Sequence, residues 1–102
     1  VTEHARLSPG DIVRIRRGKD EGDWSVVIAL EDERIALVAD GDKRRFDRPK
    51  RKNVLHLEPI GAASEEVLRS LQETGRVTNG KLRFAIANAR RSIEAHAEEK
   101  GE

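Results

Sequence analysis

From Ile12 to Arg17 apolar and basic residues alternate. Val13 and Ile15 fall on one face and Arg14 and Arg16 on the other, the pattern of a half-buried strand with two arginines on its wet side. Ile12 breaks the alternation and is expected to cover a barrel end. Trp24 to Leu30 gives the strongest strand signal: Trp24, Val26, Ile28 and Leu30 share one face, and Val27 and Ala29 imply that the other face is partly covered too. Glu31 to Arg34 reads as a polar hairpin turn, with Ile35, Leu37 and Ala39 as the return strand. Asp40-Gly41 is a hairpin-turn pair. Arg45 to Asp47 reads as a short fourth strand interrupted by Arg48-Pro49, and Val54 to Leu57 as a last strand ended by Pro59 and Gly61. Short strands at this spacing predict a small barrel or sandwich.

The period changes after Gly61. Ser64 followed by Glu65-Glu66 is a helix start, an N-cap hydroxyl with acids at the positive end of the dipole. Val67, Leu68 and Leu71 form its apolar face and Gly75 its C-cap. Thr78 or Asn79 caps a second helix, in which Leu82, Ala85, Ile86, Ala89 and Ile93 make one stripe. A helix from Gly80 to Ala97 would span roughly 27 Å, with Glu98 to Glu102 frayed. Val1 to Leu7 reads as a loose, polar lead-in. The reading is a mostly β chain with an α tail: residues 1–60 as a barrel and 61–102 as a helical hairpin attached to it, doing separable jobs.

Composition sharpens this picture. Apolar residues make up 36% of the 102, enough for a thin core, whereas charged residues reach 38%, well above about a quarter. The net charge of +1 gives no global basic field, so distribution decides. Lys43 to Lys52 holds seven basic residues and one acid, Asp47, while the tail from Gly61 carries seven of each sign. The chain has no cysteine, which excludes disulfides and thiolate metal sites and fits a reducing cytosol. No apolar run approaches the roughly 18 residues of a membrane helix, and Val1 to Leu7 contains no signal region. A cytoplasmic protein without membrane association is expected. Residue 1 is not Met, which predicts a processed or trimmed start.

Catalysis finds no support in the residues. His4, His56 and His96 are scattered with no second ligand at metal spacing, and Glu31-Asp32-Glu33 sits in a turn. No cofactor or metal is expected. The basic run does suggest chemistry, because guanidinium forks and lysine ammonium groups bind phosphate. Backbone contacts of this kind position a protein without reading sequence. Trp24 is read as core in preference to a base-stacking platform, since it shares parity with Val26, Ile28 and Leu30. Phe46, set among charges, either lies near nucleic acid or caps the barrel.

Gly10-Asp11, the alternating Val13-Arg14-Ile15, Gly18-Lys19-Asp20-Glu21-Gly22 and the strand Val26-Val27-Ile28 resemble the KOW motif of ribosomal and transcription-elongation proteins. With Ala36-Leu37-Val38 and Asp40-Gly41 the resemblance covers roughly residues 8 to 60. It extends to the family of the fourteenth large-subunit ribosomal protein of archaea and eukaryotes and its short bacterial relatives. It implies a five-stranded SH3-like (KOW) barrel that contacts ribosomal RNA. Glu21 and Asp23 depart from the motif and make the glycine loop net acidic. The electrostatic burden therefore moves to the strand arginines and the basic run.

The expected function is non-catalytic RNA binding to large-subunit ribosomal RNA, as a ribosomal or ribosome-associated protein with ribosomal proteins as possible neighbours. The expected RNA-binding residues are Arg14, Arg16, Arg17, Lys19, Lys43, Arg44, Arg45, Phe46, Arg48, Lys50, Arg51 and Lys52. Two alternatives stand beside it. One is a KOW module that binds a protein of transcription or translation. The other is DNA binding through a helix-turn-helix in the tail that presents Lys81, Arg83, Arg90 and Arg91. A methyl-lysine cage is disfavoured because Trp24, Phe46 and Phe84 are the only aromatic side chains.

Overall fold

The computed structural model describes residues 7–100, and for 96–100 the backbone alone. The expectations for residues 1–6, the His96 ring, Gly101 and Glu102 lie outside the described residues. Five strands, β1 (Asp11–Ile15), β2 (Trp24–Leu30), β3 (Ile35–Ala39), β4 (Lys50–Asn53) and β5 (Leu57–Ala63), precede two helices, α1 (Glu65–Thr74) and α2 (Asn79–Lys100). The strands form one antiparallel sheet in the order β4-β3-β2-β1-β5. A sequence of hairpins places each strand beside its predecessor, and β5 returns to pair with β1.

The sheet is covered on both faces. On one face Val13, Ile15, Val27, Ala36, Val38 and Leu57 pack together with Leu7. On the other, Ile12, Val26, Ile28 and Ala39 meet Val67 of α1, Val77 of the interhelix turn, and Leu82, Ala85 and Ala89 of α2. This second cluster explains two features of the sequence. Val26-Val27-Ile28 is continuously apolar because neighbours on opposite faces are both buried. Ile12 does not cover a barrel end; it is 1% exposed beneath the helices. The expected boundary at residues 60 and 61 falls inside β5, and the larger cluster is built jointly by sheet and helices.

The last two strands differ from expectation. Residues 45–47 lie in the loop over residues 40–49, and the fourth strand is Lys50–Asn53, paired with Ile35–Val38 of β3. Val54–His56 forms a short 3-10 turn, which Asn53 caps by accepting from the Leu55 N–H at 2.9 Å. Pro59 and Gly61 do not end β5. Pro59 pairs with Val13 on a strand whose one neighbour is β1, where a missing N–H costs nothing. Ala62 pairs with Ile12, so Ile60 and Gly61 bulge between the two register points. Gly61, at φ 78°, supplies the left-handed backbone there.

The helices start and stop as their sequence indicates. Ser64 Oγ accepts from the Val67 N–H at 3.1 Å, and Gly75 ends α1 at φ 75° with its N–H on the Leu71 carbonyl. Thr78, not Asn79, caps α2, accepting from the Lys81 N–H at 3.1 Å. The stripe on α2 is used unevenly. Leu82, Ala85 and Ala89 are buried, Ile86 is half-buried, and Ile93 is 37% exposed. The backbone remains helical to Lys100, beyond the end expected at Ala97.

Candidate nucleic-acid interface

Two basic segments far apart in sequence meet at one end of the sheet. After β1 the chain carries Arg16, Arg17 and Lys19 into a loop over residues 16–23, all three exposed. β4 lies close by, and Lys52 Nζ donates to the Arg17 carbonyl at 3.1 Å. Lys50 Nζ lies 3.5 Å from Asp20 Oδ2 and Lys43 Nζ 3.1 Å from Asp23 Oδ2. Asp20 and Asp23 thus hold the glycine loop against the basic run, and the Asp23 hydrogen bond raises the Lys43 pKa above its ordinary value. Glu21 is exposed and forms no ion pair among the described residues.

These contacts divide the cations. Lys43 and Lys50 are paired within the protein. Arg51 reaches Glu31 at 2.9 Å across the β2–β3 turn, and Arg14 lies 3.9 Å from Glu58, its partner on β5. All four pairs are partly solvated, so water and salt screen them. Arg16, Arg17, Lys19, Arg44, Arg45 and Arg48 form no ion pair among the described residues. Within these two basic segments, these six and the Lys52 ammonium are the cations left without an ion pair among the described residues.

The loop over residues 40–49 is longer than a two-residue hairpin. The Asp40 carboxylate accepts from the Asp42 and Arg44 N–H groups at 2.9 and 2.8 Å. The Asp40 and Gly41 N–H groups both donate to the Arg44 carbonyl. Gly41 is buried against α2 at φ 83°, and Arg83 Nη1 donates to its carbonyl at 2.7 Å. Farther along, the Phe46 N–H donates to Asn79 Oδ1 at 2.7 Å, and its ring packs half-buried against the cluster under the helices. The loop is therefore pinned to α2 at Gly41 and Phe46, and displays Arg44 and Arg45 between the pins and Arg48 just beyond them.

Trp24 is half-buried at the start of β2 beside the same cluster, and Arg90 of α2 lies over its ring, 4.5 Å from the centroid. One face of the indole is therefore occupied within the protein. Each of the four cations expected on the second helix is engaged within the protein. Lys81 reaches Glu66 at 4.0 Å, Arg83 holds Gly41, Arg90 covers Trp24, and Arg91 donates to Asn88 at 3.3 Å. Reading the sequence missed the structural duties of Arg83 and Arg90. Their spacing puts both on one side of α2, flanking Ile86 of the apolar stripe, and that was the available signal. No group of three or more His, Asp or Glu able to hold a metal occurs among the described residues. No described helix is long and apolar enough to cross a membrane.

No protein-family model matches the chain. A Bacillus subtilis (strain 168) protein named "Putative ribosome-binding protein YbzG" is 45% identical over 62 residues, which span 61% of this chain and 84% of that relative. With that identity over most of the relative's length, the chain belongs to the family of YbzG.

Proposed function

We propose that the chain is a non-catalytic, cytoplasmic ribosome-binding protein. Its sheet is an SH3-like barrel of the KOW kind, and it grips ribosomal RNA of the large subunit by charge and shape. The observation that carries this reading is the junction of the two basic segments. The Lys52–Arg17 contact sets β4 beside the β1–β2 loop, so Arg16, Arg17 and Lys19 join Arg44, Arg45 and Arg48 as exposed cations without internal partners among the described residues. Such a surface neutralises phosphates and gains affinity by releasing their counterions. The name of the Bacillus relative gives independent support for a ribosomal partner.

The DNA-binding alternative gains little, because the tail arginines it requires are spent on Gly41 and Trp24. The experiment that tests the proposal is fractionation of cell extract on a sucrose gradient. The protein should travel with the large subunit and leave it on a high-salt wash. Sedimentation at the top of the gradient at low salt would contradict it.

A further inference from the structure

A cleft of about 480 Å³ lies where the loop over residues 40–49 meets the turn between α1 and α2, within the size range of small-ligand sites. Its lining combines three chemistries. Val77 is buried and Phe46 half-buried, so the cleft has an apolar floor with an aromatic ring. Arg45 and Arg76 are exposed at its walls, and neither forms an ion pair among the described residues. Asp47 adds one exposed carboxylate.

The frame around these groups is tied down. The Phe46 N–H is held by Asn79 Oδ1 at 2.7 Å. The Arg76 carbonyl accepts from Ser70 Oγ at 2.8 Å and Thr74 Oγ1 at 3.1 Å, and the Arg76 N–H donates to Thr74 Oγ1 at 3.1 Å. Backbone positions on both walls are thus fixed before any ligand arrives, which lowers the ordering cost of binding.

The combination selects among anions. A free phosphate would meet the arginines but would be repelled by Asp47 and make no use of Phe46. A fully paired duplex offers phosphates but no free base face. An unpaired nucleotide matches all three features. Its base stacks on an aromatic ring or a guanidinium plane, its phosphates accept from arginine, and an exocyclic amine or 2′-hydroxyl donates to a carboxylate.

We propose that this cleft receives one unpaired nucleotide of the RNA, a bulged or looped-out base, at the seam between sheet and helices. The proposal rests on the RNA-binding reading and adds to it a preference for RNA form. Arg45 belongs to both surfaces, so a backbone crossing the basic loop enters the cleft directly. Arg76 lies outside the basic run and separates the two claims.

The test uses the full chain and two RNA hairpins of identical stem, one carrying a single-nucleotide bulge. The intact protein should bind the bulged hairpin about tenfold more tightly, the size of one base-stacking contact. Arg76→Ala should bring that ratio to within about twofold and leave affinity for the paired hairpin unchanged. A 4-thiouridine at the bulge should crosslink to peptides containing Phe46 or Val77. Equal binding of both hairpins by the intact protein, a ratio that survives Arg76→Ala, or crosslinks confined to other segments would overturn the cleft while leaving the basic surface standing. Failure of the intact protein to bind either hairpin would overturn the RNA-binding reading and the cleft with it.

Discussion

Arg83 Nη1 on α2 donates to the carbonyl oxygen of Gly41 at 2.7 Å. Gly41 itself leaves no room for a side chain: a Cβ there would collide with the Asn79 carbonyl and lie 3.1 Å from Arg83 Cγ. The basic loop and the helical tail are therefore one assembly. The glycine of a turn that reads as a generic hairpin is the point where the loop docks.

Gly41→Ala should destabilise the protein by about 2–4 kcal/mol, combining the cost of an alanine at positive φ with the overlap on α2. Arg83→Met should cost about 1 kcal/mol, because only the hydrogen bond is lost. Urea unfolding followed by circular dichroism measures both. An unperturbed midpoint in Gly41→Ala would mean that the loop does not dock on α2.

The tail should be required for folding. Removing the chain after Ala63 would expose Ile12, Val26, Ile28 and Ala39, each at most 8% exposed in the full chain. Separable jobs for residues 1–60 and 61–102 would need the sheet to fold without that cover. The sheet without the helices should show no cooperative thermal transition, since a unit of about 60 residues has little burial to spare. A cooperative transition in the fragment would contradict this.

Asp20 and Asp23 should restrain RNA binding. They occupy Lys50 and Lys43, so Asp20→Asn with Asp23→Asn frees two ammonium groups. Affinity for ribosomal RNA should rise about fivefold at low salt, and the gain should shrink as salt is added. Filter binding across a salt series checks it, and an affinity unchanged by the double variant would show that the pairs do not compete with RNA.

Asp32 should contribute stability that is lost on the acid side. Its carboxylate accepts from the Arg34 and Ile35 N–H groups at 2.8 and 2.9 Å, and these bonds lower its pKa below 3.8. A depressed folded pKa gives stability that is present above the unfolded value and lost as pH falls through the folded one. Asp32→Ala should therefore narrow its stability difference from the parent as pH drops below about 4. A difference that stays constant as pH falls through the carboxylate range would assign the effect to turn geometry alone.

Much of this arrangement was legible in the chain, and the illegible parts share a cause. β2 could be read because its alternation is local, and α2 because its stripe is. What the stripe covers could not be read, since the sheet face that receives it is assembled from Ile12, Val26, Ile28 and Ala39 on separate strands. β4 was hidden because Lys50-Arg51-Lys52-Asn53 has no apolar residue, and its strand geometry comes from pairing with β3. Pro59 and Gly61 read as terminators because the residues that end strands also mark edges and bulges. In the interface, the basic residues themselves were plain in the sequence. Their division into paired and available charges depends on Asp20, Asp23 and Glu31, whose partners are distant in the chain.

The most direct measurement of the central claim is the salt dependence of binding to large-subunit ribosomal RNA by the parent chain and by Arg44→Ala/Arg45→Ala/Arg48→Ala. These three side chains are exposed, so each change should cost under about 0.5 kcal/mol of stability. If the surface neutralises about four to six phosphates, log K against log salt should have a slope of about −3 to −5, and the triple variant should be shallower by about 2 to 3. A flat response in the parent, or an undiminished slope in a folded triple variant, would contradict the account.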